Sequence, residues 1–293
     1  MNTILKSTLS AALTAASLSI ASVANAQTDV SLFLKADHIQ RAVVDTTLDN
    51  LYKPIGHHGP AVENSYMALR LYFKAGCAVD VYSKNKPSLE LKKYGWYPTK
   101  EDIAAGSGCD EYRVGKTTGL GGFSLWDGEK QILIEGTAGR RAEVRKTKNG
   151  AEMSMLVRGV EYKGEKVDIK ITVSVSDNSR IAEISAECVS GQKVVFMSGV
   201  NFHPGQQLKL ADGRIAVWGV HPADVVENPL PIGAGLTYKT KVWSGLDIDN
   251  TLGFVAIKTR KPVNKASVNV VAACSREDAI NTCQKFFDYV FAL

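Results

Sequence analysis

The stretch "GHHGPAVENSYMALRLYF", Gly56 to Phe73, gathers residue types that move protons and hold anions. An imidazole titrates near neutrality, so His57 or His58 can serve as a base at physiological pH. Arg70 can grip a carboxylate through two parallel hydrogen bonds, and Tyr66 can donate or accept a proton. These four fit a reaction that removes a weakly acidic proton beside a carboxylate. Metal ligation fits them poorly, because adjacent side chains point apart and the His-x-x-x-His spacing of helical zinc sites is absent. The alternative is a plain polar turn. We expect neither metal nor cofactor.

A period of two explains how the strand would present them. Met67, Leu69, Leu71 and Phe73 alternate with polar positions, so the apolar set faces a core. Asn64, Tyr66, Arg70 and Tyr72 then share the other face, where an amide, two phenols and a guanidinium suit a sugar. Lys74-Ala75-Gly76 turns the chain into "AVDVYS", which predicts a hairpin.

Further candidates sit at strand ends and in loops. His203 and His221 each precede a proline, which stops strand pairing and exposes the preceding side chain. We take His203 as a reserve catalytic partner and His221 as a substrate contact. "KKYGWYPT" and "GGFSLWDG" place Trp96, Tyr97 and Trp126 in loops, where aromatic planes can stack on pyranose rings. Trp218 and Trp243 read as core, and His38 as structural or surface. No carboxylate pair stands out among Glu63, Asp80, Asp110 and Glu111. "GKTTGLGGF" lacks the ending of a phosphate loop and no Gly-x-Ser-x-Gly occurs, so neither nucleotide binding nor α/β-hydrolase chemistry is expected.

The elements that must position these groups are overwhelmingly strands. In "KVDIKITVSVS" Val167, Ile169, Ile171, Val173 and Val175 fall on one face. Turn signals at Asp127-Gly128, Asn149-Gly150 and Asp212-Gly213 separate further alternating runs at the spacing of a sandwich. Two helices are predicted. One follows an N-cap at Thr99; the other runs from an N-cap at Ser275 to the C-terminus, with Ile280, Cys283, Phe287 and Val290 as its apolar stripe. The fold class is all-β, a large antiparallel β-sandwich with a C-terminal helix, in one domain over residues 27–293.

Residues 1–26 carry the pattern of a secretory signal: Lys6, an apolar Ala- and Leu-rich centre, and Ala24-Asn25-Ala26 as cleavage motif. A periplasmic or secreted protein is expected, with no membrane span. The net charge of +5 comes without Lys/Arg blocks, so nucleic acid is not an expected partner. Five cysteines leave at least one unpaired; Cys77–Cys109 and Cys274–Cys283 are near enough in sequence to bridge, and Cys188 reads as core.

The segments "HGPAVENSYMALRLYF", "AVDVYSK", "LELKKYGWYPT" and "GLGGFSLWDG" resemble a family of exported bacterial proteins defined as a domain of unknown function. Such proteins resemble members of polysaccharide-utilisation systems, and their pattern is similar to the galactose-mutarotase-like supersandwich. That resemblance implies a carbohydrate ligand and carries no catalytic residues. The expected function is a lyase that eliminates water or a glycosyl group from uronate-containing oligosaccharides. Arg70 is the expected carboxylate clamp, His57 or His58 the base, and Tyr66 the acid. The alternatives are an aldose 1-epimerase pairing a histidine with Glu63, and a non-catalytic glycan-binding protein using Trp96, Tyr97 and Trp126.

Overall fold

The computed structural model describes residues 28–249 and 253–293; the expected export signal lies outside them. Its framework is a nine-stranded antiparallel sheet. In spatial order it runs Gln207–Ala211, Arg214–Gly219, Ile232–Thr237, Lys265–Cys274, Ala182–Cys188, Glu165–Ser176, Gly150–Tyr162, Arg140–Thr147 and Val43–Thr46. Val167, Ile169, Ile171, Val173 and Val175 are all buried, as their alternation predicts, while Lys170, Thr172 and Ser174 between them are half-exposed.

Two smaller sheets complete the architecture. One has four strands in the order Asp29–Ser31, Ala61–Glu63, Met67–Leu71 and Val79–Ser83. The other has five, in the order Trp243–Asp249, Phe254–Thr259, Phe196–Asn201, Ser124–Trp126 and Gln131–Ile132. Leu69 and Leu71, Phe196 and Val255, and Ile169 and Ile171 belong to one continuous apolar cluster, so all three sheets bury their inner faces together. The all-β sandwich class holds. Trp243, Trp218 and Cys188 are buried as expected.

The expected first helix forms at Lys100–Ala104, with a capping box between Thr99 and Asp102. The C-terminal helix is shorter than expected. It covers Cys283–Ala292, and Thr282 caps it rather than Ser275. Glu277 gives the reason: its carboxylate turns inward to Arg180 and accepts the Cys274 N–H, which breaks the helical path. Phe286, Phe287 and Val290 pack the helix against Trp218, Val271 and Ala273 on the sheet's outer face. Gly233 makes room for it, since a Cβ there would sit 2.6 Å from the Phe286 ring. All five cysteines are free thiols, so neither sequence-allowed bridge is present.

Candidate functional site

The third and fourth strands of the four-stranded sheet, Met67–Leu71 and Val79–Ser83, carry Arg70 and Asp80 side by side. Strand Met67–Leu71 is buried on both faces, so the face expected to meet solvent is covered. Its cover is the connection that follows Val79–Ser83, containing the helices Leu91–Tyr94 and Lys100–Ala104. Trp96 fastens that cover. It is 1 % exposed and lies 4.3 Å from the Arg70 guanidinium carbon. The expected exposed stacking platform is therefore a buried cation–π partner.

Arg70 is 2 % exposed, and each of its three nitrogens has a partner. Nε donates to Asp80 Oδ2 at 2.7 Å, Nη2 to Asp110 Oδ2 at 2.8 Å, and Nη1 to the Tyr97 hydroxyl at 3.1 Å. The Tyr72 hydroxyl donates to the same Asp80 oxygen at 2.7 Å. This corrects the assignment of Arg70 as the clamp for a substrate carboxylate: the protein's own two carboxylates occupy it. Two buried acids facing one guanidinium cannot both ionise cheaply. Burial first, and then the charge of Asp80, push Asp110 up to about 8 against the pull of Arg70. The Asp110 carboxyl is thereby biased toward keeping its proton near neutral pH.

The two histidines separate. Both adopt left-handed backbone, at φ 52° and 60°, a strained geometry worth roughly 1–3 kcal/mol per residue that clusters at functional sites. The turn lies hard against the strand, because a Cβ on Gly59 would come 1.8 Å from the Leu71 carbonyl oxygen. His57 points inward, its Nε2 2.8 Å from Ser31 Oγ, and burial drives its pKa down to about 3. It is a neutral packing residue behind Trp96, not a base in the cleft.

His58 points outward. Its Nδ1 lies 2.7 Å from the Tyr52 carbonyl oxygen, and a carbonyl only accepts, so Nδ1 carries the hydrogen. Nε2 is then a lone pair, and the Tyr97 hydroxyl donates to it at 3.0 Å. Stacking on the Tyr52 ring at 4.0 Å fixes the imidazole plane. Partial burial, and then the charge of Arg70 against the Tyr52 contact, lower the His58 pKa and keep it neutral. Burial raises the Tyr97 pKa, with Arg70 opposing, so the phenol keeps its proton. A chain of three results: Arg70 donates to Tyr97, and Tyr97 donates to His58.

These groups line a cleft of about 270 Å³, with Lys74, Arg113 and the Pro222–Pro229 segment closing its other walls. Tyr72 reaches it as expected. Other expected residues do not. Asn64 is spent on structure: its Oδ1 accepts the Tyr66 and Met67 N–H groups, and its Nδ2 donates to the Ser176 and Ser179 carbonyls. Tyr66 follows that turn and lies against Arg180 at 4.8 Å, outside the cleft. Trp126 sits on the five-stranded sheet under Lys258. His203 and His221 pair with each other at 4.9 Å behind the wall, where His221 Nδ1 accepts the Arg113 N–H at 3.2 Å. Burial depresses His221 to about 3, so it acts as a fixed support for that wall. Glu63, the carboxylate of the epimerase alternative, is fully buried and holds Lys84 and the Glu90 and Leu91 N–H groups.

Sequence reasoning named Asp80 and Asp110 without seeing them as a pair, and gave Tyr52 and Lys74 no place in the site. Asp80 was within reach, because it pairs with Arg70 across the hairpin and counting outward from the turn gives that register. Asp110 had no local signal. Among the described residues no group of three or more His, Cys, Asp or Glu side chains gathers to hold a metal, and no helix is long and apolar enough to cross a membrane.

Comparison with solved structures finds a likeness to a 4-alpha-glucanotransferase from Thermococcus litoralis. It has 11 % identity and a TM-score of 0.36, and covers 82 % of this chain. The match spans 42 % of that enzyme's length. No curated protein matches the chain. The family described as "Domain of unknown function (DUF4861)" matches residues 6–293, nearly the whole sequence, and the chain belongs to that family.

Proposed function

We propose that the cleft is the active site of an exported carbohydrate-active enzyme, a carbon–oxygen lyase acting on uronate-containing oligosaccharides. One observation carries this reading: a single guanidinium holds the Tyr97–His58 chain on one side and the Asp110 carboxyl, whose pKa is raised, on the other. In the reaction, the Tyr97 oxygen takes the proton from C5 of the uronate as its own phenol proton passes to His58 Nε2. Arg70 Nη1 stabilises the phenol oxygen throughout. The C5 electron pair forms the C4–C5 double bond, and the C4–O bond breaks. The leaving oxygen takes the proton of Asp110, giving an alcohol (or water) and an unsaturated uronate. Solvent then restores the proton to Asp110 and removes one from His58. Acid and base each supply about 10²- to 10⁴-fold in rate.

Inverting hydrolysis by the Asp80/Asp110 pair is a poorer fit. Both carboxylates reach the same Nη2, at 2.6 and 2.8 Å, too close for the roughly 6.5–9.5 Å gap of an inverting glycosidase. A second reading, aldose 1-epimerase, draws support from the occupied Arg70, since ring opening needs an acid and a base but no carboxylate clamp. Incubation with acidic oligosaccharides separates the two. The lyase creates a conjugated double bond absorbing in the ultraviolet, and Tyr97→Phe abolishes it. Anomer interconversion with no ultraviolet signal from any acidic oligosaccharide would overturn the lyase in favour of the epimerase.

A further inference from the structure

With Arg70 occupied, elimination beside a carboxylate still requires a positive charge at the substrate. The charges of the cleft can be matched one by one. Arg70 faces Asp80 and Asp110, and Arg113 Nε lies 4.0 Å from Asp224. Lys74 alone among the cationic cleft residues has no carboxylate partner within the described residues, and its ammonium makes no hydrogen bond there. Its ammonium rests 4.1 Å from the centre of the Tyr52 ring and 5.0 Å from that of Tyr72. Those contacts orient a cation but leave its donors free.

The position is also right for the chemistry. Tyr52 carries Lys74 against its ring and stacks on His58 at 4.0 Å, so one phenol links the free ammonium to the base. Burial, and then repulsion from Arg70, make the unpaired Lys74 charge costly, against some relief from Asp80. A half-buried cation in that position gains most from an incoming anion. We propose that Lys74 is the specificity-determining residue of the cleft, and that it pairs with the carboxylate of a uronate bound in the cleft. This rests on the lyase reading for its chemistry but on the charge inventory for its evidence.

The test uses the full chain with galacturonate, glucuronate and mannuronate trisaccharides and their methyl esters. Binding is followed calorimetrically, and elimination by ultraviolet absorbance. Lys74→Met is expected to weaken binding of the preferred acid about 10- to 100-fold, the range for a lost charged hydrogen bond, and to leave its methyl ester unaffected. Lys74→Arg should restore most of the loss, and added salt should weaken the wild type more than Lys74→Met. If acid and ester bind equally to the wild type, or if Lys74→Met binds the acid unchanged, the inference is overturned. Selective acid binding that depends on Lys74, in a protein that never forms an unsaturated product, supports Lys74 and removes the lyase.

Discussion

Two buried arginines of this protein make opposite use of the same group. Arg180 meets Glu277 two-handed, with Nη1–Oε1 at 2.9 Å and Nη2–Oε2 at 2.7 Å, one cation to one acid. Arg70 meets two acids and a phenol beside a cleft. Burial raises the carboxyl pKa in both places, but Arg180 has only Glu277 to pull back. At Arg70 the extra carboxylate favours a proton on one acid, and an acid that keeps its proton beside a cleft is chemically available as a donor, where Glu277 is spent on its partner. The count of charges, more than their burial, separates the candidate site from the structural ion pair.

Substituting one acid from each cluster gives the sharpest contrast. Asp110→Asn should lower kcat by about 10²- to 10⁴-fold with no loss of stability at neutral pH, since the amide removes a carboxyl whose raised pKa costs the folded state there. Glu277→Gln should do the reverse, costing about 3–5 kcal/mol of stability by stranding Arg180, with kcat unchanged below the unfolding midpoint. Steady-state turnover and denaturant melts read both; equal effects on kcat would erase the distinction.

The pH profile sharpens it further. Turnover needs Asp110 protonated, so kcat/KM should fall above its value of about 8. It needs His58 neutral, so the acid limb should lie below the ordinary histidine value of 6.5. Asp80→Asn removes a charge that raises Asp110, and the alkaline limb should move to lower pH.

Stability should follow a different set of groups. His57 and His221 fall from 6.5 to about 3 in the folded state. Below pH 6.5 the unfolded chain binds protons that these rings refuse. Their contribution is therefore full above 6.5 and declines toward pH 3, by about 1.4 kcal/mol per pH unit for each ring. Asp110 opposes one of them, because its raised pKa contributes stability below 3.8 that is lost as pH rises through 8. Denaturant melts at pH 4.5 and 6.5 should show the net acid loss, and His221→Gln should flatten the slope. The smallest expected effect is at Tyr66. Its hydroxyl has no hydrogen-bond partner among the described residues, so Tyr66→Phe should change neither turnover nor stability by more than about 0.5 kcal/mol.

The strands were legible because strand formation and side-chain alternation are local. Val167 to Val175 and Met67 to Phe73 each announced which side faces the core, and the turn after Phe73 announced its hairpin. Arg70, Tyr72, His58 and Tyr97 were all found from residue type and spacing. Their roles were not. Alternation says that Arg70 lies opposite the Leu69 face; it cannot say whether that face meets water or a covering loop. The strand before Tyr66 misled for a related reason, since Asn64 uses its side chain to end the strand and the row breaks there.

By itself, then, the sequence determined the all-β sandwich, the faces of its strands, and a set of proton-handling side chains beside one of them. Only the tertiary structure decided which histidine faces the cleft, that Trp96 seals rather than displays Arg70, and that Asp80 and Asp110 converge on one guanidinium. The physical reason is range. A period of two is written into neighbouring residues, whereas a protonation state depends on how many charges the folded chain brings within a few ångströms, from positions as far apart as 70 and 110.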